Sequence, residues 1–116
     1  MGKVYISNAF STGMLLNILE QEQDTVVKFK KILSTEEVKE ILETNNFISV
    51  VGHESTAKVL QILLGINIPV NRVGIQLEKG DKVVIFQLNQ RLQEGVILDE
   101  EEIKKLNYTF ILAEII

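Results

Sequence analysis

The side chains best suited to acid–base chemistry centre on the only histidine, His53, in the run Gly52-His53-Glu54-Ser55-Thr56. Imidazole is the side chain whose ordinary pKa allows proton exchange near neutrality. Because the chain has no cysteine, His53 is the natural candidate for a general acid or base. The structural alternative is a packed or solvated histidine with no chemical role.

Three polar clusters interrupt otherwise well-patterned elements, and each follows a predicted strand. They span residues 8–11, 52–56 and 87–95. Loops at the carboxyl ends of parallel strands form the usual ligand crevice of an open α/β sheet. We therefore expect the three clusters to form one site if their strands run in the same direction.

Several of the candidate residues also have a structural interpretation. Arg72 could be a solvated residue at the start of a strand, and Arg91 could pair with Glu94 on a helical turn. Gly52 could serve a turn, or could let a ligand approach the backbone closely. Hydroxyl side chains that could cap helices are Ser11, Ser55 and Thr56.

Hydrophobic periodicity predicts an α/β fold with a mixed sheet of five to six strands flanked by helices. Residues 25–33 resemble an edge strand, and residues 47–51 a central one. Residues 73–77 and 82–88 flank a turn at Gly80, which predicts a hairpin and makes the sheet mixed. The predicted strands are 3–7, 25–33, 47–51, 73–77, 82–88 and 108–115, and the predicted helices follow Ser11, Ser34, His53 and Asp99.

The length and composition predict a single domain over residues 1–116 in the cytoplasm. No apolar run is long enough to span a membrane, and no signal peptide is recognisable. The net charge of −4 argues against binding a polyanion such as duplex DNA. The motifs for a two-histidine zinc site, a P-loop, a dinucleotide-binding loop and a GxSxG nucleophile elbow are all missing, so we expect neither a metal nor a cofactor.

Four short motifs, in their order and spacing, resemble those of the viral ring nucleases, which oppose type III CRISPR defence by destroying cyclic tetra-adenylate. The resemblance covers essentially the whole chain. The motifs are Asn8-Ala9-Phe10-Ser11, Gly52-His53-Glu54-Ser55-Thr56, Asn71-Arg72-Val73 and Gln90-Arg91-Leu92-Gln93-Glu94-Gly95.

The resemblance implies an α/β homodimer that binds the ring at its dimer interface and cleaves it without a metal. The family's catalytic histidine matches His53, and its supporting glutamate matches Glu94. Its ligand-contacting serine and arginine match Ser11 and Arg91. The remaining ligand-binding candidates lie within the matching motifs: Asn8, Gly52, Arg72 and Gln90.

The chemistry of RNA phosphodiesters agrees with such a site. The 2′-hydroxyl is a built-in nucleophile, so an enzyme needs mainly to align it and to protonate the leaving 5′-oxygen. His53 suits the acid role, and an arginine can hold the phosphate with two parallel hydrogen bonds. The alternative, from another class, is a non-catalytic DNA-binding homodimer that acts as a viral regulator. A structural virion protein is a third interpretation, which no feature of the sequence supports.

Overall fold

A computed structural model describes residues 2–89 and 99–116. Within these ranges five strands form one sheet, and short helices cover it. The strands are β1 (Val4–Ser7), β2 (Val27–Ile32), β3 (Ile48–Ser49), β4 (Lys82–Leu88) and β5 (Tyr108–Ile115). The helices are α1 (Leu16–Glu20), which continues a 3₁₀ turn (Thr12–Leu15), α2 (Thr35–Thr44), α3 (Glu54–Leu64) and α4 (Glu100–Lys104).

The strand order across the sheet is β2-β5-β4-β1-β3. β1 pairs in parallel with both β3 and β4. β5 pairs antiparallel with β4 on one side and with β2 on the other. Consequently β1, β2, β3 and β4 all point the same way, and β5 alone runs against them. The predicted mixed α/β sheet is confirmed, with β2 at an edge as its irregular pattern indicated.

Local signals in the sequence explain where the helices begin and end. The Ser34 hydroxyl accepts a hydrogen bond from the Glu37 N–H at the start of α2. Asp99 and Glu102 form a full capping box at the start of α4. Gly65 ends α3 in the left-handed region with φ 68°, a conformation that costs glycine little because it has no Cβ.

Both faces of the sheet are packed, but unequally. On one face α2, α3 and α4 bury a large apolar cluster that includes Ile6, Leu42, Leu60 and Phe86. On the other face the 3₁₀ turn, α1 and residues 75–77 cover a smaller cluster around Leu77. No helix within the described ranges is long and apolar enough to cross a membrane.

The predicted hairpin at Gly80 is wrong. Residues 78–81 do turn, with Gly80 at φ 97°, but residues 73–77 form no strand. Both edges of β4 are already paired, with β1 and β5, so no edge is left for them. The Leu77 N–H instead donates to the Met14 carbonyl, 2.7 Å away. The sheet is mixed because of β5.

The prediction of a central strand over residues 47–51 is also wrong. β3 is short and lies at the edge of the sheet, beside β1 alone. Its outer side is covered by residues 69–72, which explains why an edge segment is so apolar in sequence. The predicted capping by Ser55 and Thr56 fails as well, because His53 occupies the N-cap position of α3.

A buried carboxylate ties the opposite end of the sheet together. Asp81 accepts hydrogen bonds from the Lys3 N–H at 2.9 Å and from the Glu78 N–H at 2.8 Å. Burial, together with the negative charges of Asp81 and Glu78, raises the pKa of Tyr5 above its usual 10.0. These hydrogen bonds stabilise the end of the sheet at which β1 and β4 begin, opposite the end from which the polar clusters follow.

Candidate functional site

The shared direction of β1, β3 and β4 brings the loops that follow them to one edge of the sheet. Asn8 and Ser11 follow β1, whereas Gly52 and His53 follow β3. The third cluster follows β4, but Gln90, Arg91 and Glu94 lie outside the described residues. The shared direction on which the predicted convergence depended is therefore confirmed for β1, β3 and β4. Within the loop after β1, Phe10 packs against Phe29 of β2, with ring centroids 5.6 Å apart.

His53 stands where β3 has ended and α3 begins. Its backbone is extended, with φ −128° and ψ 131°, and its carbonyl accepts the Ala57 N–H at 3.0 Å. The side chain is exposed and makes no capping hydrogen bond. Because the helix start does not use the imidazole, both ring nitrogens remain available to a ligand.

The loop after β1 is shaped by Ser7. This buried hydroxyl donates to the Ala9 carbonyl at 2.8 Å and accepts from the Ala9 N–H at 3.1 Å. Such a local bond bends the chain just beyond the strand. Asn8 is half-buried in the bend. Ser11 is exposed at the N-cap position of the 3₁₀ turn, yet its side chain makes no capping bond, so the structural interpretation of Ser11 as a cap is wrong.

Arg72 lies beside Gly52, one residue from His53. A Cβ atom built on Gly52 would stand 3.3 Å from Arg72 Cγ and 3.7 Å from Arg72 Cβ. The backbone of Gly52 is not in the left-handed region, so no turn requires glycine there. The small residue instead makes room for the arginine stem. The structure thus brings Arg72 against Gly52, which lies about twenty residues earlier in the sequence and directly before His53.

Reasoning from the sequence missed Ser49, and it assigned no structural role to Asn71. These two residues hold the segment that bears Arg72 in place beside β3. Ser49 Oγ donates to the Pro69 carbonyl at 2.6 Å, and Asn71 Nδ2 donates to the Ser49 carbonyl at 2.8 Å. The available signal was Ser49 itself, because a lone hydroxyl inside an apolar segment needs a hydrogen-bond partner when it is buried.

Comparison with known proteins places the chain among small proteins that include several from archaeal viruses. The family model described as STIV B116-like matches residues 4–110. Uncharacterized protein 26 of Sulfolobus islandicus filamentous virus is 46% identical over 87 residues, covering 74% of each chain. Uncharacterized protein YddF of Bacillus subtilis is 37% identical over 99 residues, covering 84% of this chain and 91% of its own.

A solved structure shares the fold over nearly the full length. B116 of Sulfolobus turreted icosahedral virus matches with a TM-score of 0.82 and 32% identity, covering 97% of this chain and 99% of its own. The length of 116 residues is compatible with this chain being B116 itself. The 32% sequence identity shows instead that it is a relative of B116. The chain belongs to the STIV B116-like family.

Proposed function

We propose that this protein is a viral ring nuclease that binds cyclic tetra-adenylate and cleaves it without a metal, antagonising type III CRISPR immunity in the host cytoplasm. The observation that carries the proposal is the packing of Arg72 against Gly52, next to His53, at the carboxyl end of the parallel strands, where the loop that bears Asn8 and Ser11 also begins. Their hydrogen-bonding groups suit a ring of phosphates and nucleosides. The four matching motifs supply the identity of the ligand.

In the proposed reaction a ribose 2′-oxygen attacks the adjacent phosphorus while the bond to the 5′-oxygen breaks. His53 donates a proton to the departing 5′-oxygen, and the 2′-hydroxyl proton leaves to solvent. The products are linear di-adenylates that end in a 2′,3′-cyclic phosphate. A positioned acid of this kind contributes roughly 10²–10⁴-fold to the rate. The exposed imidazole, unused by the helix start, supports this role.

The other residues are assigned to binding and charge stabilisation. Arg91 would hold a phosphate and stabilise the charge that develops on it, with Glu94 as the supporting carboxylate and Gln90 as a further contact. Arg72 would supply a second guanidinium, since its stem packs against Gly52, the residue before His53. Ser11 offers a hydroxyl that no helix cap consumes.

We further propose that the active species is a homodimer with the ring at its interface. A ring of four equal nucleotides has twofold symmetry, so two copies of His53 can act on opposite bonds. The more thinly covered sheet face supports the existence of a partner. Phe29 on that face is 56% exposed, and Leu16 of α1 is 47% exposed, and apolar side chains of this size are candidates for burial by a second copy.

The direct test is incubation of the purified protein with labelled cyclic tetra-adenylate in EDTA, with products separated by chromatography. Linear di-adenylate with a 2′,3′-cyclic phosphate is the expected product. An intact ring after prolonged incubation with folded protein would refute the proposal.

One observation favours the alternative, a non-catalytic DNA-binding homodimer that acts as a viral regulator. Lys28, Lys30 and Lys31 lie exposed along the edge strand β2, a local positive charge on an otherwise acidic chain. When a protein contacts DNA phosphates, the logarithm of its affinity for DNA falls linearly with the logarithm of the salt concentration. Duplex binding with a steep salt dependence, together with an uncleaved ring, would favour this alternative.

A further inference from the structure

We propose that Asn71 is a positioning residue that fixes Arg72 beside His53, an inference that rests on the proposed function. Asn71 makes two hydrogen bonds to the β3 region. Its N–H donates to the Val51 carbonyl at 2.8 Å, and its Nδ2 donates to the Ser49 carbonyl at 2.8 Å. One residue therefore uses both its backbone and its side chain to hold the strand end from which His53 follows.

Ser49 completes this connection, which we call the Ser49–Asn71 clamp. Its hydroxyl donates to the Pro69 carbonyl at 2.6 Å and accepts from the Val51 N–H at 3.3 Å. The hydroxyl is almost fully buried, with Ser49 only 4% exposed. A buried hydrogen bond that loses one partner leaves an unsatisfied group, so these bonds hold the geometry firmly.

The segment that bears Arg72 has no regular structure of its own to fix it. Residues 66–77 contain neither helix nor strand. The clamp is what aligns residues 69–72 with the outer side of β3. Arg72 comes immediately after Asn71, and its stem lies across Gly52, where a Cβ would be 3.3 Å from Arg72 Cγ.

This arrangement restrains a side chain that is otherwise flexible. A long exposed arginine samples many rotamers, and it loses this conformational freedom when a phosphate binds. Anchoring the backbone one residue earlier and supporting the stem on Gly52 restrains the arginine next to the residue that precedes His53 before the ring arrives. Asn71 itself needs no contact with the ring, so it acts through Arg72.

The test compares Asn71→Ala with Asn45→Ala. Asn45 offers a matched control because its Nδ2 donates to the Ile41 carbonyl at 2.7 Å, at the end of α2. Each substitution removes one side-chain amide bond to a backbone carbonyl. We expect Asn71→Ala to lower kcat/KM about 10- to 100-fold, because small misplacements of catalytic groups have effects of this size. Asn45→Ala should leave kcat/KM unchanged.

A double-mutant cycle separates positioning from a general loss of structure. If Asn71 acts through Arg72, Asn71→Ala has no further effect on kcat/KM once Arg72 is already alanine. Ring affinity, measured in a His53→Ala background that cleaves slowly, should weaken with Asn71→Ala and not with Asn45→Ala. Additive losses from Asn71→Ala and Arg72→Ala, or equal behaviour of the two asparagine variants, would overturn the proposal.

A structural readout keeps this inference distinct from the proposed function. The nuclear Overhauser contact between Arg72 Hγ and Gly52 Hα reports the clamp whether or not any ring is cleaved. Its loss in Asn71→Ala and retention in Asn45→Ala would support the clamp even if wild type proved inactive on the ring. Its persistence in Asn71→Ala would overturn the clamp even if wild type were fully active.

Discussion

The substitution Gly52→Ala tests the close approach of Arg72 at the candidate site. The new methyl carbon would stand 3.3 Å from Arg72 Cγ, whereas carbon atoms prefer separations of about 3.5–4.0 Å. The arginine stem must therefore move by roughly 0.2–0.7 Å. Since a 1 Å misplacement can cost about a hundredfold in rate, kcat/KM should fall roughly 3- to 20-fold. Stability should change by less than about 1 kcal/mol, because the arginine stem is exposed and can yield.

The assay is ring cleavage under steady-state conditions, with urea unfolding of the same preparations. Gly74→Ala is the matched control, because a Cβ at Gly74 would have no atom within 4 Å. It should leave activity unchanged. In an Arg72→Ala background, Gly52→Ala should no longer affect kcat/KM, since the Cγ atom it would touch is gone. An undiminished effect in that background would refute the reasoning.

Three further predictions concern stability. Asp81→Ala removes a buried acceptor of two backbone N–H groups and should lower the free energy of unfolding by about 2–4 kcal/mol in urea titrations; a loss below 1 kcal/mol would contradict this. Burial and the carboxylates of Asp81 and Glu78 raise the pKa of Tyr5 above 10.0, so the unfolded chain ionises first. The stability that this shift provides is present below pH 10 and is lost as pH rises through the higher pKa of the folded state. Between pH 10 and that pKa, Tyr5→Phe should therefore lose less stability than wild type. Ser34→Ala should cost about 1 kcal/mol through its helix cap, whereas Ser11→Ala should cost little because its hydroxyl makes no capping bond.

Local rules predicted the elements whose sequence carries a local signal. Tyr108–Ile115 alternates and forms β5, and Asp99 begins α4 as its position before three consecutive glutamates indicated. These features depend on residues close together in the chain, so the sequence shows them directly. The common direction of β1, β3 and β4 was left open by the sequence, and the strand pairing supplies it.

The errors arose where distant segments compete for the same partner. Residues 73–77 alternate like a strand, but β1 and β5 occupy both edges of β4 and leave none for them. Residues 47–51 look central because residues 69–72 cover their outer side. The contact between Gly52 and Arg72 likewise depends on long-range hydrogen bonds. Hydrophobic periodicity carries no information on such pairings.

The central claim, that His53 is the general acid, is tested most directly by His53→Ala under single-turnover conditions in EDTA. Because His53 is exposed and makes no side-chain cap, the variant should fold normally and bind cyclic tetra-adenylate with near wild-type affinity. We predict that it cleaves the ring about 10²–10⁴-fold more slowly than wild type. Cleavage at the wild-type rate would contradict the account.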